Sequence, residues 1–284
     1  MSNSIKIQNK YFLYFVSSIE KSRNSIISLF NRCETDFSEE VVHDLRVSMR
    51  RLLAFLKVLE KLIESNYIKC LKKELKSTIK SFNKLRDTQV QIQIVNKLKW
   101  NSPELTSFSI HLLNLEKILI QEIHEFIRSY DFDILNGLIF FLKLKLKEMS
   151  ADDKVNEQTI INILNDLLGE LTAALDIVDP KDPKTIHRVR LIFKNFRYAI
   201  ELFDPLLKFS KNISKKLKSY QTLMGEIQDW TVLDADINNY LFQNSFPFTE
   251  ISLISGFVSE TLHERVNSFF EIKQQLYFKK FEIK

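Results

Sequence analysis

Apolar residues recur at positions i, i+3, i+4 and i+7 through nearly every long segment of the chain, with polar residues between them. This spacing is typical of one face of an α-helix. Turn-forming residues interrupt the pattern, most strongly at Asp179–Pro183, because a residue that precedes proline disfavours the α conformation. The pattern predicts an all-α protein with helices at 5–30, 38–63, 67–84, 87–99, 103–130, 133–148, 154–176, 182–207, 210–224, 228–243 and 248–277.

Glycine and proline are scarce, with 4 and 5 examples among 284 residues. The glycines are isolated, so the chain has no G-x-G-x-x-G, P-loop or G-x-S-x-G motif, each of which needs clustered glycines. The shortage of turn residues also argues against a fold with many β-strands. Phosphate binding by a glycine-rich loop and α/β-hydrolase chemistry are therefore excluded.

The chain contains an internal repeat. The stretch His43–Arg51 returns as His187–Asn195, at an offset of 144 residues. Further along, Leu85–Val90 returns as Ile227–Val232, at an offset of 142. Two features that recur in the same order at nearly one spacing are hard to attribute to chance, so the chain is interpreted as a duplication.

This duplication predicts an N-terminal helical half, residues 1–150, and a C-terminal helical half, residues 151–284. Each half is long enough for a four-helix bundle with one extra helix. The two halves are expected to be related by approximate two-fold symmetry.

Positive charge is concentrated in the repeated segments. Residues 43–86 hold 12 Lys and Arg against 4 Asp and Glu, and residues 184–218 hold 10 against 2. Each segment therefore has a net charge of +8, while the whole chain has only +5. The rest of the chain is acidic, with a net charge of −11. Charged residues spread evenly for solubility would not be divided in this way.

Each basic stripe has an apolar stripe opposite it. At about 100° per residue, His43, Arg46 and Arg50 fall within roughly 60° of one another on a helix. The second copy repeats this stripe with histidine, arginine and lysine at the same spacing. The opposite faces carry Leu45, Met49, Leu52, Leu56 and Leu59 in the first copy, and Val189, Phe193, Phe196, Ile200 and Phe203 in the second.

Rows of lysine follow the basic stripe in both copies. Like charges one helical turn apart repel by a few tenths of a kcal/mol, so a stack of them is easier to explain if an anion offsets the repulsion. A plain solvated face is the alternative interpretation. The candidate polyanion-binding residues are His43, Arg46, Arg50, Arg51, Lys73, Lys76, Lys80, Arg86, His187, Arg190, Lys194, Arg197, Lys211, Lys215 and Lys218.

The duplicated motif resembles that of the conserved histidine α-helical domain (CHAD) family. That pattern reads His-x-x-Arg-x-x-x-Arg/Lys-Arg-x-Arg, followed later by Leu-Gly-x-x-Arg/Gln-Asp. Three positions depart from it, at Leu53, Asn83 and Asn195. The matching residues are His43, Arg46, Arg50, Arg51, Arg86 and Asp87 in the first copy, and His187, Arg190, Lys194, Arg197, Tyr198, Met224, Gly225, Gln228 and Asp229 in the second.

The resemblance covers essentially the whole chain. It implies two four-helix bundles packed with pseudo-two-fold symmetry around a basic central pore. It also implies binding of inorganic polyphosphate, with a location in the cytoplasm and at polyphosphate granules. Some members carry an N-terminal triphosphate-tunnel domain with an E-x-E-x-K signature, and this sequence contains no such motif.

Polyphosphate suits these residue types. It is a linear polyanion without bases, so it needs many spaced donors and no stacking platform. Arginine offers a planar fork to phosphate oxygens, and lysine a mobile point charge. The expected function is binding without catalysis, with no cofactor and no metal ion. A nucleic-acid-binding protein and a histidine phosphotransfer or phosphate-transfer protein are the alternatives.

The roles of the two histidines stay open. His43 and His187 could donate to phosphate, could be structural, or could accept a phosphoryl group. The carboxylates Asp87 and Asp229 are expected to orient a nearby arginine or histidine. A direct catalytic role for these carboxylates is not expected.

Cysteine content and hydropathy indicate the compartment. The chain has two cysteines, Cys33 and Cys70, too few for a cysteine-rich zinc site or a secreted disulfide scaffold. No signal peptide is evident, and apolar runs are far shorter than the roughly 20 residues that span a bilayer. A soluble cytoplasmic protein that does not contact a membrane is expected.

Overall fold

The computed structural model describes residues 10–98, 102–148, 155–209 and 211–282. These ranges are largely helical and contain no strand, so the prediction of an all-α protein is confirmed. None of the helices in them is long and apolar enough to cross a membrane. The helices are α1 (Lys10–Cys33), α2 (Glu39–Leu62), α3 (Asn66–Ser81), α4 (Asn83–Lys97), α5 (Pro103–Ser129), α6 (Phe132–Glu148), α7 (Glu157–Asp176), α8 (Pro183–Leu207), α9 (Lys211–Gln243), α10 (Phe248–Ile272) and a short 3₁₀ helix (Lys273–Leu276).

The prediction of separate helices at 210–224 and 228–243 is wrong, because α9 runs without interruption from Lys211 to Gln243. The predicted gap between the two helices contains Gly225. A glycine inside a helix costs only about 1 kcal/mol relative to alanine. Met224 and Ile227 on either side of it are buried, and burying each is worth about 1.5–3 kcal/mol. Packing therefore holds the helix together across the glycine.

Other predicted boundaries agree with the structure to within five residues. The break at Asp179–Pro183 is present, and α8 begins directly after it. Asp182 caps α8 by accepting a hydrogen bond from the backbone N–H of Lys184, at 3.0 Å, and Pro183 occupies the first turn. The predicted starts at residues 5, 154 and 210 and the predicted end at residue 99 lie outside the described residues.

The helices group into two compact units that interleave along the chain. The first unit comprises residues 1–83, 121–165 and 281–284, and the second comprises residues 84–120 and 166–280. Three of the four boundaries between these units fall within α4, α5 and α7, and the fourth follows the 3₁₀ helix. The division near residue 150 follows the sequence duplication, which is a different criterion, and it stays a prediction.

The core of the first unit forms where α2 packs against α1 and α3. The predicted apolar stripe of α2 is confirmed, because Leu45, Met49 and the three leucines that continue it are fully buried. Aromatic rings extend this core. The ring of Phe30 stacks on Tyr130 at a centroid distance of 4.8 Å and meets the edge of Phe82 at 5.9 Å. On the basic face of α2, His43 and Arg51 are exposed, whereas Arg46 is buried.

The core of the second unit forms where α9 packs against α8 and α10. The predicted apolar stripe of α8 is confirmed, since Val189, Phe193 and the three residues that continue it are buried. A further cluster joins α5, α9 and α10, with Phe108, Leu233 and Ile254 among its buried members. Because α8 packs against α9, polar side chains of the two helices can contact one another.

Candidate polyanion-binding site

The basic stripe of α2 is divided between one buried and three more accessible residues. His43 and Arg51 are exposed, and Arg50 is half-buried. Arg46 is only 7% exposed, and its Nη2 donates a hydrogen bond to Oδ1 of Asn83 at 2.7 Å. Arg46 is therefore held against the first residue of α4, whereas the other three reach solvent.

Sequence reasoning did not identify Asn83 as a partner of Arg46. It noted Asn83 only as a departure from the glycine in the family pattern. A hydrogen bond between residues 37 positions apart gives no signal in the spacing of the sequence, so only the fold could reveal it.

The predicted lysine row of α3 lies on the surface. Lys73, Lys76 and Lys80 are all exposed, and no carboxylate of the described residues lies within ion-pair distance of them. The neighbouring Lys72 differs, because it forms an ion pair with Glu60 of α2. The row is thus a set of spaced cations that have no carboxylate partner among the described residues.

The basic stripe of α8 is half-buried along its length. His187, Arg190, Lys194 and Arg197 all have partial exposure. Arg197 forms an ion pair within the same helix, because its Nε and Nη2 donate to one oxygen of Glu201 at 2.8 and 2.6 Å. The spacing of these two residues, i and i+4 on a helix, could have indicated this ion pair from the sequence.

Asp229 of α9 lies among three cations and one carboxylate. Arg190 and Lys194 of α8 and Arg86 of α4 interact electrostatically with it, as does Asp87 of α4. Burial raises the pKa of Asp229 above the ordinary value, and this effect exceeds the opposing effect of the three cations. The repulsion from Asp87 also raises the pKa of Asp229. All five residues belong to the second unit, so the structure brings both predicted orienting carboxylates to predicted basic residues.

Arg190 lies beside Gly225 of α9. The Nη2 atom of Arg190 lies 4.0 Å from the position that a Cβ would occupy at residue 225. Gly225 precedes Asp229 by one helical turn, so Arg190 lies against this stretch of α9. Arg190 thus contacts α9 close to Asp229.

The lysine row of the second copy lies near the start of α9. Lys215 and Lys218 are exposed, and no described carboxylate is within ion-pair distance of them. The side chain of Lys211 lies outside the described part of the structure. The row therefore resembles that of α3 in the two side chains that can be compared.

Within the described ranges, no group of three His, Cys, Asp or Glu side chains is placed to hold a metal ion. The absence of a metal site and of a cofactor stays a prediction. The two cysteines are free, and burial raises the pKa of Cys33 to about 12, so its thiol is protonated at neutral pH. Cys70 is exposed.

Comparison with known proteins places the chain in a family. The CHAD domain matches residues 30–237. The fold is similar to that in a crystal structure of the CHAD domain from the plant Ricinus communis, with a TM-score of 0.79, 17% identity, and coverage of 98% of this chain and 95% of that one. It is also similar to PptA from Streptomyces chartreusis, with a TM-score of 0.65, 13% identity, and coverage of 94% and 99%.

Among curated proteins, none has a sequence that matches this chain. The family match extends over most of the chain and includes both copies of the basic motif, from His43 to Asp229. The chain therefore belongs to the CHAD domain family.

Proposed function

We propose that this protein binds inorganic polyphosphate without transforming it, through the basic faces of α2, α3, α8 and α9. The observation that carries the proposal is the lysine row of α3, where three exposed cations stand without a carboxylate partner in the described structure. Lys215 and Lys218 repeat this arrangement on α9. Membership of the CHAD family supports polyphosphate as the polyanion.

The spacing of the lysines suits a linear ligand. Lys73, Lys76 and Lys80 follow one another by three and four residues, so they lie along one face of α3. Residues on such a face succeed one another by about 5 Å along the helix axis. A chain of phosphates that follows the helix meets a cation at each turn, whereas a compact ligand such as a single phosphate would reach only one or two.

The proposal includes the arrangement that the resemblance implies, with pseudo-two-fold symmetry and a basic central pore. It also includes a cytoplasmic location with recruitment to polyphosphate granules. A fluorescent fusion of the full chain, compared in cells with and without polyphosphate, tests the location. A diffuse signal in both would contradict recruitment to granules.

The direct test is a binding assay with long-chain polyphosphate at several salt concentrations. Affinity should fall steeply as salt rises, because a ligand that neutralises many cations releases their counterions. Duplex DNA with an equal number of phosphates should bind at least about tenfold more weakly, since a rigid helix cannot follow the lysine rows. Equal affinity for both polyanions would favour the nucleic-acid alternative and overturn the proposal.

A lysine variant tests the surface that is proposed to bind. Replacing the α3 row with glutamine should weaken polyphosphate binding by about tenfold or more, because three charge contacts are lost. A control removes three exposed lysines elsewhere and should change affinity less than about twofold. The variant is Lys73→Gln, Lys76→Gln, Lys80→Gln, and the control is Lys97→Gln, Lys117→Gln, Lys280→Gln.

Equal losses in the two triple variants would show that net charge alone drives binding, and the α3 surface would then not be the site. Circular dichroism should show the same helical content in both variants, since all six side chains are exposed.

The absence of catalysis is a separate part of the proposal. Incubation with polyphosphate or triphosphate and Mg²⁺ or Mn²⁺ should release no phosphate above the rate without protein. Metal-dependent release by the wild-type chain that disappears on replacing Asp229 would instead establish a phosphate-transfer enzyme. Transfer of a phosphoryl group to His43 or His187 would be detected as an acid-labile modification and would favour the phosphotransfer alternative.

A further inference from the structure

Asp229 is a carboxylate placed inside the cationic part of the second unit. The Nη2 atom of Arg190 lies against α9 one turn before Asp229, 4.0 Å from the Cβ position of residue 225. Lys194 of α8 and Arg86 and Asp87 of α4 also interact electrostatically with the Asp229 carboxylate, as does Arg190. The three cations and two carboxylates leave this cluster with a formal charge of only +1 when all five groups are ionised. Two anions of the protein itself thus occupy the surroundings of three cations that could otherwise bind phosphate.

The contrast with the lysine rows is one of charge balance. The α3 row has no carboxylate partner in the described structure, whereas the Asp229 cluster is close to neutral. A cluster that only had to attract a polyanion would not need Asp229. Its half-buried carboxylate also loses hydration, and charged groups are costly to bury.

We propose that Asp229 is a built-in competitor for the polyphosphate chain, which occupies Arg190, Lys194 and Arg86 in the free protein and limits the affinity of this site. This inference rests on the proposed function, because it concerns the same ligand. A phosphate that reaches these cations must weaken their interactions with Asp229. Removing or protonating the carboxylate therefore leaves more positive charge for the ligand.

Charged groups from α4 and α8 interact with the Asp229 carboxylate. From α8, Asp229 faces Arg190 and Lys194, and from α4 it faces Arg86 and Asp87. On α10, Arg265 lies 3.4 Å from Glu226, a residue on the preceding turn of α9. The effect assigned to Asp229 is thus an effect on three cations from two helices.

The chain offers a matched control five residues away on the same helix. Asp234 is also half-buried on α9, and burial also raises its pKa. Its carboxylate accepts a hydrogen bond from Asn238 at 3.0 Å, and no cation contributes to its pKa shift. Asp229→Asn and Asp234→Asn therefore remove the same charge from the same helix, in one case beside the cations and in the other away from them.

The test is polyphosphate binding by the wild-type chain and the two variants at neutral pH. We expect Asp229→Asn to bind about fivefold more tightly than wild type, since one unit of negative charge near the phosphates is gone. Asp234→Asn should stay within about twofold of wild type. Asp229→Ser provides a second neutral side chain if the asparagine variant does not fold.

The pH dependence gives a second, independent readout. Protonation of wild-type Asp229 at low pH should have the same effect as the substitution, so the ratio of the two affinities should fall towards one as pH decreases. The histidines also gain charge as pH falls, but they do so in both proteins, and their effect cancels in the ratio.

The outcomes separate this inference from the proposed function. Wild-type protein that does not bind polyphosphate overturns both. Wild-type protein that binds, together with an Asp229→Asn variant of equal or lower affinity, overturns the role of Asp229 and leaves polyphosphate binding intact. Equal tightening in the two asparagine variants would also overturn it, since the effect would then be one of net charge.

Discussion

The first copy of the repeat, on α2 to α4, and the second, on α8 and α9, hold an equivalent arginine in two different settings. Arg46 is buried and donates to Asn83, whereas Arg190 is half-buried and lies over Gly225. Asn83 and Gly225 correspond in the duplication, as do the two arginines. The aligned position therefore supplies a neutral amide acceptor to Arg46, whereas glycine at residue 225 has no side chain to offer Arg190.

The helices that carry this position also differ. In the first copy, α3 ends at Ser81 and α4 begins at Asn83, while α9 is continuous through the corresponding point. The ring of Phe82 is fully buried, at centroid distances of 5.9 Å from Phe30 and 6.1 Å from Phe126. Burying the ring is worth about 2–3 kcal/mol, more than the roughly 1 kcal/mol of an interrupted backbone hydrogen bond.

The comparison shows how a duplicated sequence acquires separate roles. In the first copy the arginine is part of the structure, and the exposed lysines of α3 carry the uncompensated charge. In the second copy the arginine stays within reach of other charges, and Asp229 balances it. Five substitutions test this difference, from the largest expected effect to the smallest.

The two aligned core residues, Met49 and Phe193, should be about equally important in their own copies. Both are fully buried. Replacing Phe193 with alanine should lower the free energy of unfolding by about 4 kcal/mol, and Met49→Ala by about 3 kcal/mol, because each leaves a cavity. Urea denaturation measures both values. A loss below about 1 kcal/mol at either position would show that its copy is not held together by the predicted apolar stripe.

Asn83→Ala should cause the second largest loss of stability. It removes one acceptor of the buried Arg46 guanidinium, and a hydrogen bond to a charged group is worth about 1.5–3 kcal/mol. We expect the free energy of unfolding to fall by about 2 kcal/mol, measured by urea denaturation. Ser77→Ala on the neighbouring helix, where the side chain is exposed, is the control and should change it by less than about 0.5 kcal/mol.

Much of the fold could be predicted from these same residues. The apolar stripes that contain Met49 and Phe193 follow directly from helical spacing, and the break at Asp179–Pro183 follows from proline chemistry. The continuity of α9 could not be predicted, because Gly225 indicates a break locally and the packing that overrides it is tertiary. The interleaving of the two units could not be predicted either, because a sequence repeat indicates two consecutive halves.

The residues of the candidate site could be predicted from the sequence. Their hydrogen-bond and ion-pair partners could be predicted only in part. The positions of the basic stripes and the carboxylates Asp87 and Asp229 follow from the duplicated motif. The ion pair of Arg197 with Glu201 was available from the i, i+4 spacing. The bond from Arg46 to Asn83 was not, because it joins two helices.

The stability of the second copy should depend on pH through Asp229. Its folded-state pKa is raised, so the folded protein holds this proton more tightly than the unfolded chain does. The contribution of Asp229 is present below its unfolded pKa and is lost as pH rises through the folded value. Asp229→Asn should therefore raise the free energy of unfolding more at pH 7 than at pH 4, measured by urea denaturation.

The same substitution tests whether burial or attraction to the cations has the larger effect on the pKa of Asp229. If Asp229→Asn lowers the free energy of unfolding at pH 7, the attraction to Arg86, Arg190 and Lys194 outweighs the cost of burial, and the pKa must be lowered instead. Titration of the carboxyl group by NMR in the wild-type chain would then show a value below the ordinary range.

Gly225→Ala should have the smallest effect, with a sign opposite to that of Asn83→Ala. Gly225 does not have a positive φ, so alanine causes no backbone strain there. A new Cβ would meet only the Nη2 of Arg190, at an ordinary contact distance of 4.0 Å. Replacing a glycine inside a helix with alanine should then raise the free energy of unfolding by about 0.5–1 kcal/mol.

Substitution by alanine should thus change stability in opposite directions at two aligned positions. Asn83 accepts a hydrogen bond from Arg46, whereas Gly225 only lies beside Arg190. Thermal unfolding of the two alanine variants beside wild type measures both signs in one experiment. A loss of stability in Gly225→Ala would mean that the new Cβ disturbs the position of Arg190. Arg190 would then be as firmly fixed as Arg46, and the distinction between a structural and an accessible arginine would disappear.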